Sequence, residues 1–362
     1  MSEIYGLLGL EDSDRSFINT IGQEVVYDAV QQEIDRLNSE VNAALGLFVE
    51  KTTEAFKFRY KLPAGGYMPR RGTQAAPGLV KSTGSWDVGM PLFDFGDEVG
   101  GDDVSLAYMR LDELNRHIDN IEIRNKNTIR REIMVAMFNS VQFSFEDDIH
   151  GTIEVEGLAN GDTVVYPPLL GAAAGATENH YLLTAFTVAN ISDTNDPVED
   201  AIDELEEHFG SPTGGSEIAF FAGKALCDKI ADTLTDFEDV ADMHVEKGAD
   251  SDTVIGLPDQ LIGYKVRGRH RDGAWVVEYR YIPDDYSVTI HLEAPRPLIL
   301  RVDPADTGLG QGLQLVSRQE NTPLESAFYR NRYGMGVGNR LNGVVQKYAA
   351  SGSYSVPTAY AR

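Results

Sequence analysis

Two long stretches of the chain repeat their apolar positions every three to four residues. In the first, Ile21, Val25, Val26, Ala29, Val30, Ile34, Leu37, Val41, Leu45 and Phe48 form one stripe with no intervening proline, which predicts an amphipathic helix. In the second, Leu111, Leu114, Ile118, Ile121, Ile129, Ile133, Met137 and Val141 form another. A helix over 111–141 would be about 46 Å long at ~1.5 Å per residue, which suits a spine better than a compact packing element. Between the two the period changes to two: Phe56, Phe58, Tyr60 and Leu62 alternate with Lys57, Arg59 and Lys61, the pattern of a strand with one wet face. A second alternating run spans Trp86 to Phe95, and the intervening 62–84 is too rich in Gly and Pro for a helix or a core. The pattern predicts a two-stranded arm over 51–96, closed by an acidic, Gly-rich turn at 96–103. Isolated two-stranded hairpins are marginal in water, so the arm must lie on something.

Beyond the second helix the elements shorten. Gly151–Glu156 and Thr163–Tyr166 read as strands, with a Gly/Ala linker at 171–176. From Tyr181 to Asp303, strands at 181–189, 217–222, 260–266, 275–281 and 287–292 surround helices at 197–209 and 225–234. Asp272-Gly273 marks a tight turn between two of these strands. The whole reads as one α/β unit with a mixed or antiparallel sheet. The tail returns to strands at 313–317 and 326–333, then a Ser/Gly/Tyr-rich end.

Charge changes this picture. The net charge is −26, yet 51–84 carries seven bases (Lys51, Lys57, Arg59, Lys61, Arg70, Arg71, Lys81) against Glu54, so this stretch is +6 and the remainder −32. A basic arm on an acidic protein has an obvious complementary surface in another copy of itself. A pI near 4.5 argues against gripping nucleic acid by its phosphates. The acid excess, most concentrated at 193–252, reads as a solvated face, and its self-repulsion would be better screened in strong salt, as in a saline habitat. No apolar run reaches the roughly 18 residues that span a bilayer, and Met1–Tyr5 does not begin a secretory signal.

Little in the sequence suggests catalysis. Cys227 lies on a half-apolar helical pattern, as a small buried hydrophobe would. The histidines at 117, 150, 180, 208, 244, 270 and 291 form no i, i+4 pair, so there is no zinc signature. His270-Arg-Asp272 and Asp94-Phe-Gly96 match kinase triplets in the wrong order and read as turn residues. Gly308-x-Gly310-x-Gly312 and Gly334-x-Gly336-x-Gly338 do not connect a buried strand to an apolar helix, as a phosphate loop requires. The acids of 94–103 lack calcium-loop spacing. No cofactor or metal is expected, and the chain reads as no enzyme.

The order of elements, together with Tyr329-Arg-Asn-Arg-Tyr-Gly-Met-Gly-Val-Gly-Asn-Arg340 and Leu341-Asn-Gly-Val-Val345, resembles the major capsid proteins of tailed double-stranded DNA viruses, with the HK97-type fold. The resemblance implies an α+β chain with an N-terminal arm and helix at 1–50, an extension loop at 51–104 and a spine helix at 105–142. An axial domain at 143–300, peripheral-domain return strands at 301–350 and a tail at 351–362 complete it. It further implies assembly in the host cytoplasm into hexameric and pentameric capsomers of an icosahedral virion, enclosing DNA without sequence-specific binding and without a membrane. Lys57, Arg59, Lys61, Arg70, Arg71 and Lys81 would be the docking cations. The short segment before the first helix favours a separate scaffolding protein, and a portal and decoration proteins are further expected partners. Some relatives join an extension-loop lysine to a neighbour's asparagine; Lys57, Lys61 or Lys81 with Asn339 or Asn342 are the residues of the right type. An encapsulin-like compartment shell shares the implied fold. From another class, an acidic α/β hydrolase or carbohydrate-binding protein would need its site in 181–303.

Overall fold

The computed structural model describes residues 23–52, 57–61, 85–99, 110–149, 151–159, 161–165, 177–179, 181–209, 218–239, 264–317 and 327–362. Its helices are α1 (Gln23–Leu45), α2 (Leu111–Phe138), α3 (Pro197–Phe209) and α4 (Lys224–Thr233). The strands begin with β1 (Val49–Thr52), β2 (Lys57–Lys61), β3 (Ser85–Gly89), β4 (Phe93–Val99), β5 (Val141–Asp147) and β6 (Gly151–Glu156). Next come β7 (Gly161–Val165), β8 (Thr177–Asn179), β9 (Tyr181–Thr184), β10 (Ile218–Ala222), β11 (Phe237–Asp239) and β12 (Tyr264–His270). The last are β13 (Ala274–Tyr279), β14 (Tyr286–His291), β15 (Leu298–Val302), β16 (Leu313–Ser317), β17 (Ala327–Val337) and β18 (Val344–Tyr348). The chain forms two compact units, each drawn from three separate segments: 1–42, 92–129 and 302–333 in one, and 43–91, 130–301 and 334–362 in the other. No described helix is long and apolar enough to cross a membrane.

In the first unit the helical stripes are where burial falls: Val30, Ile34, Leu37 and Val41 on α1, and Leu114, Ile118, Ile121 and Ile129 on α2. The residues Ala327–Tyr333 of β17 are flanked by β16 and β4, both antiparallel. Asn38 of α1 brackets the first residue of β16, accepting the Leu313 N–H at 2.9 Å and donating to the Leu313 carbonyl at 2.8 Å. One side-chain amide thus serves both backbone groups of that residue. From α2, Arg124 reaches Asp97 at 2.8 Å and Asn125 accepts from Asn331 at 2.9 Å. Two expectations change here. Gly96–Val99 continue β4 instead of turning, because Ala327–Arg330 supply a partner remote in sequence. Asp94 and Gly96 are therefore strand residues, and so are Gly334 and Gly336 in β17.

The second unit is built on a seven-stranded mixed sheet, in the order β11-β12-β13-β10-β14-β18-β9. Pairing is parallel for β10 with β13 and for β18 with β9, and antiparallel elsewhere. All residues of β10, β13 and β14 are buried, as strands covered on both faces require. On one face, Val198, Ile202 and Leu205 of α3 and Leu226, Cys227 and Ile230 of α4 join Ile218, Phe220 and Val276 in a single core. On the other, Phe221 and Tyr279 meet Phe48, with ring centroids 4.9 and 6.4 Å apart. Cys227 is buried, and desolvation, helped by Glu278, pushes its thiol up to about 12. It is a core residue and not a nucleophile. The Asp272-Gly273 turn joins β12 to β13 as expected, with Gly273 at φ 106°.

Three elements differ from the periodicity. The strand expected over 181–189 stops at Thr184, whose hydroxyl donates to the Phe186 carbonyl at 2.7 Å and turns the chain toward a short 3₁₀ segment, Val188–Asn190. Helix α2 stops at Phe138, where the Asn139 side chain donates to the Val135 carbonyl at 2.9 Å, and Val141 opens β5. β18, read with the returning strands of 301–350, pairs with both β14 and β9 inside the seven-stranded sheet.

Candidate assembly surfaces

The root of the arm is held by packing. β2 and β3 pair antiparallel, placing Lys57, Arg59 and Lys61 opposite Gly89, Asp87 and Ser85. Arg70, Arg71 and Lys81 lie outside the described residues. The alternating run Trp86–Phe95 is not one strand: Met90, Pro91 and Leu92 separate β3 from β4. Met90 is fully buried, and its carbonyl accepts from Arg301 at 2.9 Å. Position 89 favours glycine for a steric reason: a Cβ there would sit 2.6 Å from Ile153 and 2.7 Å from Phe145, and those side chains would have to shift. The backbone of β3 therefore lies directly on the β5–β6 hairpin.

That hairpin has two unlike faces. Phe145, paired with Ile153, and Val155 carry the apolar side, on which β3 rests. The other side carries Ser144, Glu146, Thr152 and Glu154, all exposed, with a Thr152 to Glu146 hydrogen bond of 2.6 Å across the strands. At the turn, Asp147 accepts the Ile149 N–H at 3.1 Å, and Ile149 itself is 84% exposed.

The opposite situation holds for 351–362, which contains no helix or strand. Tyr354 donates to the Phe138 carbonyl at 2.8 Å, satisfying a carbonyl at the end of α2, and Tyr360 donates to the Tyr281 carbonyl at 2.5 Å. Asn139 donates to the Tyr360 carbonyl at 2.8 Å, Tyr286 to that of Ser355 at 2.7 Å, and Arg362 pairs with Glu132 at 2.6 Å. The Tyr360 ring stacks on Phe138 at 5.8 Å, and the Arg362 guanidinium lies 5.0 Å from the centre of Phe143. Burial raises the phenols of both Tyr354 and Tyr360. The sequence marks this segment only as a Ser/Gly/Tyr-rich end. The spacing of Tyr348, Tyr354 and Tyr360 was the available signal.

Asn342 is not available for cross-linking. It is buried, its Oδ1 accepting the His291 N–H at 2.7 Å and its Nδ2 donating to the carbonyls of His291 and Pro295 at 2.9 Å each. Asn339 likewise donates to the Pro295 carbonyl at 2.9 Å. Nearby, Arg340 is buried against Glu156.

A polar clasp fixes the start of α3. Asp196 accepts the N–H groups of Val198 (2.8 Å) and Glu199 (3.3 Å) through Oδ1, and meets His270 Nε2 at 2.9 Å through Oδ2. Burial pushes the His270 imidazole down, but the hydrogen bond and charge of Asp196, with Asp272 and Asp236, raise it overall. His270 was read as a turn residue; it ends β12 and is 1% exposed. Gln346 completes the clasp, donating to the Pro197 carbonyl at 3.0 Å and accepting from Ser287 (2.9 Å) and Tyr348 (3.0 Å). Every partner is held by backbone or by another buried side chain, an arrangement suited to rigidity rather than to turnover. Among the described residues, no group of three His, Cys, Asp or Glu is placed to hold a metal ion.

No protein-family model and no curated protein matches the sequence. Solved structures do. A chain of Mycobacterium phage Patience is 20% identical and superposes with a TM-score of 0.68 over 98% of this chain and 97% of its own. The capsid of the native GTA particle matches at 13% identity and a TM-score of 0.49, over 85% of this chain and 90% of that one. The mature capsid of bacteriophage PhiM1 matches at 9% identity and a TM-score of 0.49, over 84% and 86%. The chain is thus an α+β protein that shares its fold, over nearly its whole length, with the Mycobacterium phage Patience protein.

Proposed function

We propose that this chain is the major capsid protein of a tailed double-stranded DNA virus, assembling into hexameric and pentameric capsomers of an icosahedral shell and residing in the virion. The observation that carries this reading is the fold shared with a phage protein over 98% of the chain. Two physical features support it. A +6 segment at 51–84 lies in a chain of net charge −26, so each copy carries both halves of a complementary pair. An acidic wall also suits a container along which packaged DNA must slide and not stick.

In this reading 51–104 is the extension loop, 105–142 the spine, 143–300 the axial domain and 301–350 the peripheral return. Lys57, Arg59, Lys61, Arg70, Arg71 and Lys81 dock on the acidic body of the next subunit. Each contact is weak, and the closed shell makes their sum stable. A separate scaffolding protein, a portal and decoration proteins are the further partners. Sedimentation and electron microscopy of the purified protein test the reading: hollow regular particles or capsomers are expected, and a discrete small oligomer under all assembly conditions overturns it. Deleting 63–83 leaves a folded subunit that forms no shell.

A further inference from the structure

Of the four large apolar side chains that stand exposed among the described residues, Phe93, Ile123, Val141 and Ile149, two belong to the β5–β6 hairpin. Among the described residues the hairpin pairs with no other strand. Its apolar side is occupied by β3 of its own chain, at Gly89. The other side is an unpartnered sheet face: Val141, 37% exposed, at its root, Ser144, Glu146, Thr152 and Glu154 along it, and Ile149 at the tip. Two-stranded ribbons gain independent stability from a third strand or a packed layer, and this one has a layer on one side only.

We propose that the bare face of the β5–β6 hairpin is an acceptor for the basic segment 51–84 of a second copy of the chain, with Ile149 inserting beside it as the apolar anchor. The proposal rests on the shell reading above and adds the receiving surface to it. The occupant follows from charge. From 141 to 156 the chain has Glu146, Asp147, Asp148, Glu154 and Glu156 and no lysine or arginine, while 51–84 is +6. Glu156 is engaged by Arg340 and the half-buried Asp147 by the Ile149 N–H, which leaves Glu146, Asp148 and Glu154 exposed. Reach permits it: a doubled-back segment of the length of 62–84 extends on the order of 35 Å from its root. The root of the chain's own arm, β3, lies across the opposite face.

The test is charge reversal with rescue in the full-length chain. Glu146→Lys/Glu154→Lys replaces two exposed side chains, so the subunit keeps its circular-dichroism spectrum and unfolding midpoint while its particle yield falls about tenfold or more. Arg70→Glu/Arg71→Glu fails in the same way. The four substitutions combined restore particles, as only an acid–base contact between the two regions predicts. Wild-type yield from Glu146→Lys/Glu154→Lys, or four-fold variants no better than either double, overturns the acceptor assignment and leaves the capsid reading intact. Failure of the wild-type chain to form any particle overturns both.

Discussion

The tail at 351–362 and the β5–β6 hairpin invert the usual association between regular backbone and stability. The tail has no helix or strand, yet its tyrosines and Arg362 are each tied to a group distant in sequence. The hairpin has an almost complete antiparallel ladder, yet one of its faces is bare and its turn presents an isoleucine to water. Backbone pairing fixes local shape, whereas what secures a segment to its domain is buried contact with other elements. The tail is secured by contacts within its own chain, whereas the hairpin leaves one face exposed.

The largest way to break this contrast is to remove the ring on which the tail rests. Phe138→Ala empties a fully buried position against Tyr286 and Tyr360, and an unfolding free energy lower by about 4 kcal/mol is expected in urea titration. Next comes the clasp at α3, which works on the tail's principle. His270→Ala removes the ionic partner of the buried Asp196 carboxylate, leaving it only its two backbone N–H donors, and costs about 3 kcal/mol. Its pH dependence has a definite sign. Because the folded pKa of His270 is raised above 6.5, its ionic contribution is fully present below that value and is lost as pH rises through the folded pKa. The gap between wild type and His270→Gln should therefore narrow as unfolding is repeated from acid toward alkaline pH; a gap that widens refutes the clasp.

Smaller effects sharpen the comparison. Tyr354→Phe keeps the ring and deletes only the bond to the Phe138 carbonyl, for about 1 kcal/mol by the same titration. Ile149→Ser should change subunit stability by no more than about 0.5 kcal/mol, since the side chain is already in water. Its effect should appear only in particle yield. A destabilised monomer would place Ile149 in its own subunit's core and erase the contrast.

Sequence patterning revealed what depends on neighbours within a few residues. The stripes of α1 and α2 carried their burial, and Asp272-Gly273 carried the turn between β12 and β13. The fully apolar run at 218–222 marked a strand covered on both faces. Features that depend on remote partners were hidden. Gly96–Val99 has the composition of a turn and becomes strand only because Ala327–Arg330 lie beside it. His270 and Asp196 are 74 residues apart, and nothing local distinguishes a clasped histidine from one at a turn. For the proposed assembly surfaces, the charge anomaly at 51–84 suggested a donor, but no periodicity could indicate that Glu146 and Glu154 share an exposed face with Val141. That required knowing which side β3 covers.

The position of the tail in the chain also sets a clock. The Phe138 carbonyl and its partner Tyr354 are separated by 216 residues. At synthesis rates of about 5–20 residues per second, α2 waits roughly ten to forty seconds on the ribosome for that partner. Until then the end of the helix lacks both its hydrogen-bond donor and the Tyr360 ring. A nascent chain stalled short of residue 354 therefore lacks the contacts that close the end of α2.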